Sequence, residues 1–214
     1  MVERQIRTFD VTDLGVQARM KDVPREIFVD PTLASLAYSD ARLTLASQPP
    51  RELTAPLILA RLLKEARLRE GERALVVAGA TGYAAALVAG LVGSVVSLDD
   101  DEAFAARAKA NFETLGLGNA KSVAGPLALG APAEAPFDVV IVDGVSQGEF
   151  GPLFGQVADR GRLLAIVSER TGARMGKAML YQRAAAGGAF SPRALFDASA
   201  GALAAFAKPP EFVF

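Results

Sequence analysis

ALVVAGATGYAAALVAGLVGSVVSLDDD, residues 74–101, decides the fold. From Ala74 to Leu98 it carries no formal charge, so its length and hydropathy suit a membrane-spanning helix. The glycines speak against that. Leu75-Val76-Val77 and Val95-Val96-Ser97-Leu98 are short β-type runs, and Gly79, Gly82, Gly90 and Gly93 fall between them. The punctuation spells strand, tight turn, helix, turn, strand. Three aspartates follow at once, Asp99 to Asp101. Uninterrupted apolar runs of this kind are expected of parallel strands covered on both faces.

The alternation continues downstream. Strands are expected at Ala74–Val77, Val95–Leu98, Lys121–Val123, Phe137–Val142 and Arg162–Val167, with helices at Tyr83–Leu91, Glu102–Leu115 and Phe150–Ala158. Such spacing predicts a mostly parallel sheet with right-handed crossovers and helices on both faces. Upstream, Leu57–Arg69 carries an apolar stripe opposite Lys64, Glu65 and Arg67, ending at Gly71. Residues 1–45 read as mostly helical, with Asp10 or Thr12 capping a helix through Val16, Ala18 and Met20. Arg25 and Glu26 read as a structural ion pair tying this cap to the core. In the tail, a strand is expected at Ala178–Arg183, a helix at Pro192–Leu203 and a short strand at Glu211–Phe214. One domain is expected over 1–214, with an N-terminal cap and substrate loop over 1–56 and an α/β core over 57–214.

Composition removes whole classes of chemistry. The 214 residues include no Cys and no His, which excludes disulfides, thiolate or imidazole metal sites, a Cys nucleophile and Ser-His-Asp triads. No metal site is expected. A formal net charge of −1 offers no electrostatic grip on nucleic acid or anionic lipid. The charged N-terminus, MVERQIRTFDVTD, is not a signal peptide, and a cytoplasmic location is expected.

In a doubly wound sheet the ligand sits beyond the carboxyl ends of the strands, where strand order reverses. The turn Ala78-Gly79-Ala80-Thr81-Gly82-Tyr83 and Asp99 stand at that edge. A carboxylate after the second strand can accept hydrogen bonds from both ribose hydroxyls of a nucleoside-like cofactor. The competing structural readings are plain turn chemistry for Gly79 and Gly82, and a solvated strand end or helix cap for Asp99. Asp143, closing FDVVIVDG, faces the same crevice or is a solvated strand end. Asp100, Asp101 and Glu102 suit a helix N-terminus.

The glycine turn with VVSLDDD resembles the first two cofactor motifs of Rossmann-type methyltransferases. VPREIFV, LAYSD, VAGPLALG, APFDVVIVDG and DRGRLLAIV sharpen the resemblance to the protein-L-isoaspartate O-methyltransferases, bacterial branch, over nearly the whole chain. The resemblance implies a Rossmann-like S-adenosylmethionine-dependent methyltransferase fold. It also implies methyl transfer to the α-carboxyl of isoaspartyl peptides or proteins, the first step of protein repair. That chemistry suits a His-free chain, because a carboxylate is already an ionised nucleophile at neutral pH.

By the same resemblance, Thr54 supplies the orienting hydroxyl, and Ser47-Gln48-Pro49 is out of register. For Thr54 alone, capping the helix that starts near Pro56 is an equal reading. Ala78, Gly79, Ala80, Gly82, Tyr83, Asp99, Gly125 and Asp143 form the implied cofactor set. Three departures predict weakened cofactor binding. Val76 stands where the family carries an acid, Ala78 and Ala80 replace glycines, and Gly125-Pro126-Leu127 replaces Gly-Asp-Gly. A catalytically degenerate scaffold and a nucleotide-binding module remain open readings on these grounds.

Overall fold

The computed structural model describes residues 1–7, 11–45 and 50–208. In chain order the regular elements are α1 (Leu14–Asp22), β1 (Leu43–Leu45), β2 (Arg51–Leu53), α2 (Pro56–Ala66), β3 (Arg73–Val77), α3 (Tyr83–Ala89) and β4 (Ser94–Asp99). There follow α4 (Glu102–Thr114), β5 (Ala120–Ala124), β6 (Phe137–Ser146), α5 (Gly151–Phe154), β7 (Val157–Val167), β8 (Met175–Arg183) and β9 (Phe190–Ser199). The main sheet has seven strands in the order β5-β4-β3-β6-β7-β8-β9. Its first five positions pair in parallel, and β8 and β9 pair antiparallel. From β3 the chain moves outward to β4 and β5, then returns to the other side of β3 as β6. The reversal sits at β3, so the crevice beyond its carboxyl end is the expected ligand position.

β3 and β4 are apolar along their length because both sheet faces are covered. On one face, Val76, Val139, Ile141 and Leu164 pack against Leu59 and Leu63 of α2, Leu87 of α3 and Phe112 of α4. On the other, Leu75, Val77, Val140 and Leu163 meet Leu153 of α5, Leu127 and Phe206. That second face is covered by one short helix and single helical turns. The uncharged stretch 74–98 is thereby consumed by a strand, a helix and a strand, and among the described residues no helix is long and apolar enough to cross a membrane.

The N-terminal region holds α1 and short helical turns at Val2–Ile6, Arg25–Phe28 and Pro31–Leu36. Asp13, rather than Thr12, caps α1, accepting from the Val16 amide at 2.9 Å; Asp10 lies outside the described residues. The tail differs from expectation. Pro192–Leu203 forms no helix; Phe190–Ser199 is a strand zipped along all of β8. Ladder pairing with β8 overrides the alanine-rich composition. The helix expected over Phe150–Ala158 stops at Phe154, and the chain is already extended at Val157. Glu211–Phe214 and Ser47-Gln48-Pro49 lie outside the described residues.

Candidate active site

The bend after β3 is built as a glycine turn although two of its residues are alanines. Ala78 has φ 61° and Ala80 φ 46°, both left-handed. The Gly79 amide bonds Leu98 O at 3.0 Å, and the Gly82 amide bonds Gly79 O at 2.8 Å. Gly79 and Gly82 serve protein packing here. A Cβ on Gly79 would lie 2.2 Å from Ser97 Oγ, and one on Gly82, at φ 95°, would lie 2.8 Å from the Phe112 ring. The two alanine methyls are buried too, Ala78 within the Leu75–Val77–Leu98 layer and Ala80 within the layer on the opposite face.

A left-handed alanine costs about 1–2 kcal/mol. Replacing it by glycine relieves that, but adds unfolded-chain entropy of about 0.5–1 kcal/mol and loses a buried methyl of about 0.8 kcal/mol. The terms cancel. Ala78→Gly and Ala80→Gly are therefore expected to unfold in urea within about 0.5 kcal/mol of wild type. Ala85→Gly, buried inside α3, has no strain to relieve and should lose about 1–2 kcal/mol.

Asp99 is neither a solvated strand end nor the cap of α4. It is 1% exposed, its Oδ2 accepts from the Ala80 amide at 2.9 Å, and its Oδ1 accepts from the Asp101 amide at 3.1 Å. Asp101 caps α4, accepting from the Ala103 amide at 2.8 Å. Burial raises the Asp99 pKa, against the opposing pull of Arg51, whose guanidinium lies 3.7 Å from Asp99 Oδ1 and bonds Asp100. Arg51 was not singled out by sequence. The only signal for it is a lone cation three residues before Thr54. The Gly125 amide bonds Asp99 O at 2.9 Å, and beside it a cleft of about 400 Å³ is lined by Asp100, Glu102, Gly125, Pro126 and Leu127.

Thr54 and Asp143 meet on the other side of β3. The Thr54 Oγ1–Asp143 Oδ1 distance is 2.6 Å, and both residues are buried. Asp143 sits in a register shift of the β6–β7 ladder between Ile141 and Val145. Such shifts re-aim side chains, and the Asp143 side chain is buried here. Thr54 does not cap α2: Ala55 occupies that position with no side-chain bond, and Asp40 Oδ1 accepts from the Leu57 amide at 3.0 Å instead.

Below Thr54 lies Arg25, fully buried. Its Nη2 donates to Thr54 O at 2.8 Å, and its guanidinium stands 4.5 Å from the centroid of the Tyr83 ring. Arg25 Nε and Nη1 and the Tyr83 hydroxyl have no hydrogen-bond partner among the described residues. No ion pair joins Arg25 to Glu26, which instead accepts from the Tyr38 hydroxyl. Arg25 joins the substrate loop through the Thr54 carbonyl and the core through the Tyr83 ring. Val76 is fully buried in apolar contacts and offers no polar atom to the site.

Thr54, Ala78, Ala80, Asp99, Gly125 and Asp143 thus gather at the carboxyl ends of β3–β6, while Gly82 and Tyr83 lie beneath, against protein. The Protein-L-isoaspartate(D-aspartate) O-methyltransferase family model matches residues 1–189. A Protein-L-isoaspartate O-methyltransferase of Methanoculleus marisnigri is 35% identical over 170 residues, 79% of this chain and 76% of that protein. One from Burkholderia pseudomallei (strain 668) is 36% identical over 173 residues, 80% of this chain but 53% of its own length. The chain therefore spans about half of that relative. Among solved structures, a protein-L-isoaspartate O-methyltransferase superposes with TM-score 0.82 at 24% identity, covering 95% of this chain and 66% of that one. A Plasmodium falciparum protein described in the same terms, solved with S-adenosyl-L-homocysteine, gives TM-score 0.77 at 20% identity, covering 94% and 95%. Likeness at these identities speaks for the fold.

Proposed function

The chain belongs to the protein-L-isoaspartate(D-aspartate) O-methyltransferase family, and on that premise we propose that it methylates the α-carboxylate of isoaspartyl residues in peptides or proteins, using S-adenosylmethionine. The observation that carries this reading is a family match extending through the N-terminal cap and substrate loop, segments that a generic nucleotide-binding fold does not need. The same reading sets the protein in the cytoplasm, with no nucleic-acid partner.

The residues fit the donor. The left-handed bend is retained at Ala78 and Ala80, a buried carboxylate stands at Asp99 for the ribose hydroxyls, and the cleft beside Gly125 leads off from it. Asp100 and Glu102 on that cleft supply acceptors that Pro126 lacks. When bound, S-adenosylmethionine supplies a methyl already activated on sulfur. What remains for the protein is to bind, align and keep water out. Arg51 is held by Asp100 as well as standing near Asp99, so Asp99 would be the residue to hold the ribose hydroxyls while Arg51 keeps a partner.

Thr54 is assigned to orient the acceptor carboxylate. Thr54→Val is isosteric and removes only the hydroxyl, so loss of alignment is expected to lower methyl transfer by about 10²-fold while S-adenosylhomocysteine affinity holds. Base-labile methyl release from an isoaspartyl peptide, against its aspartyl isomer, measures the first, and calorimetry the second. Unchanged turnover in the valine variant rules out Thr54. Wild-type protein that neither binds the cofactor at millimolar concentration nor releases methyl groups would overturn the functional reading.

A further inference from the structure

The Thr54–Asp143 contact bears on how that hydroxyl works, and rests on the reading above. A threonine hydroxyl has one proton and two lone pairs. At 2.6 Å from Asp143 Oδ1, one proton occupies the line between the two oxygens, and either group can own it. If Asp143 is ionised, Thr54 donates to it and shows the crevice only lone pairs. An incoming carboxylate then meets lone pairs and a second negative charge. If Asp143 is protonated, its O–H donates to Thr54 Oγ1, and the threonine proton is free to point at the acceptor.

We propose that Asp143 is a positioning residue that works in its protonated form, donating to Thr54 Oγ1 so that the Thr54 hydroxyl donates to the isoaspartyl carboxylate. Neither Asp143 nor Thr54 is consumed. The carboxylate oxygen forms the new C–O bond as the S–CH₃ bond gives its electron pair to sulfur, and Asp143 keeps its proton throughout. A neutral donor suits the step, because the carboxylate loses its charge as the ester forms. A cation in the same place would hold the reactant more tightly than the transition state.

The surroundings shift Asp143 towards the protonated form. Asp143 is buried in the β6 register shift, with Thr54 its hydrogen-bond partner. The charged groups acting on it are Arg25 from the N-terminal cap, which opposes protonation, and Asp99 at the end of β4, which favours it. Burial outweighs Thr54 and Arg25 and pushes the Asp143 pKa up to about 6. A substrate carboxylate placed against Thr54 adds a further like charge and raises it again. The substrate's own carboxyl, with a pKa near 4, is ionised throughout this window.

The experiment is the pH dependence of kcat and KM for an isoaspartyl peptide, from about pH 5.5 to about pH 9, in wild type and Asp143→Asn. Calorimetric S-adenosylhomocysteine binding is followed over the same range. An asparagine amide carries N–H donors at every pH and, turned with its NH₂ towards Thr54 Oγ1, mimics the protonated acid. Wild-type kcat/KM is expected to fall about tenfold per pH unit on the alkaline side, led by KM. The asparagine variant should be flat there and exceed wild type at least tenfold at about pH 9. ¹³C NMR of labelled aspartate carboxyls provides a reading independent of turnover: one resonance, absent in the variant, titrates at about pH 6 or above.

An alkaline fall of the same size in both proteins overturns the proposal alone. So does an Asp143 resonance already ionised at about pH 5. Loss of activity in the variant at every pH, with cofactor binding intact, does the same. Absence of methyl transfer by wild type at every pH overturns the functional reading itself, and with it the acceptor that this role requires.

Discussion

Asparagine at position 99 is expected to weaken S-adenosylhomocysteine binding by about two orders of magnitude while leaving the fold intact. The carboxylate has roughly four lone-pair positions. Two are occupied by the Ala80 and Asp101 amides, and Arg51 stands 3.7 Å from Oδ1. Two ribose hydroxyls donating to an ionised acceptor are worth about 1.5–3 kcal/mol each, and an amide oxygen recovers only part of that. A net loss of about 3 kcal/mol corresponds to a factor of about 10². Stability is pulled both ways. An amide can accept from one of the two backbone donors and faces the other with its own N–H, a cost of about 1–3 kcal/mol. It is also spared the burial of charge that holds the Asp99 pKa above its usual range. The opposing terms leave a small net change, so calorimetry at fixed fraction folded reads binding alone. Affinity equal to wild type would place the adenosine away from β4.

The place of Asp99 at the end of β4, beside the bend, was legible because three constraints coincide in a short window: a β-type run, a preceding glycine turn, and an acid where the run ends. The parallel core was legible for the same reason, since strands covered on both faces leave an unbroken apolar signature. The tail was not. Nothing local in Ser191–Ala198 declares a strand; its partner β8 does, and pairing is a long-range property. The resemblance put Thr54 and Asp143 at one crevice, but not in contact with each other. That pairing depends on the register shift in β6, which has no compositional mark. Arg25 was read as one half of an ion pair, because a charged residue among apolar ones normally implies a counter-charge. Its bond is to a carbonyl instead, which sequence patterns do not encode. Arg51 escaped notice because its partners lie some fifty residues downstream on another strand.

Arg25→Ala is expected to be the most destabilising single change in the site, by about 3–5 kcal/mol, and Arg25→Met much milder. The argument turns on which half of a buried cation matters. Its aliphatic stem and planar head fill the space between Tyr83 and Thr54, and truncation to alanine empties roughly 100 Å³, worth about 2 kcal/mol of cavity. It also leaves Thr54 O without a donor, about 1–3 kcal/mol, and removes a desolvated cation–π contact of about 2 kcal/mol. Against these stands the relief of burying a charge whose Nε and Nη1 find no partner among the described residues. Burial lowers the Arg25 pKa, with electrostatic attraction to Tyr83 and Asp143 working the other way. Methionine keeps most of the volume and removes the charge, so it collects the relief without the cavity; a loss of about 1–2 kcal/mol is expected, chiefly the orphaned Thr54 carbonyl. Urea denaturation of both variants separates the contributions, and equal losses would mean that charge rather than packing dominates. The methionine variant has a second readout. Arg25 opposes protonation of Asp143, so its removal should carry the alkaline limb of methyl transfer to higher pH. An alanine-like cavity elsewhere in the core has no means of moving that limb.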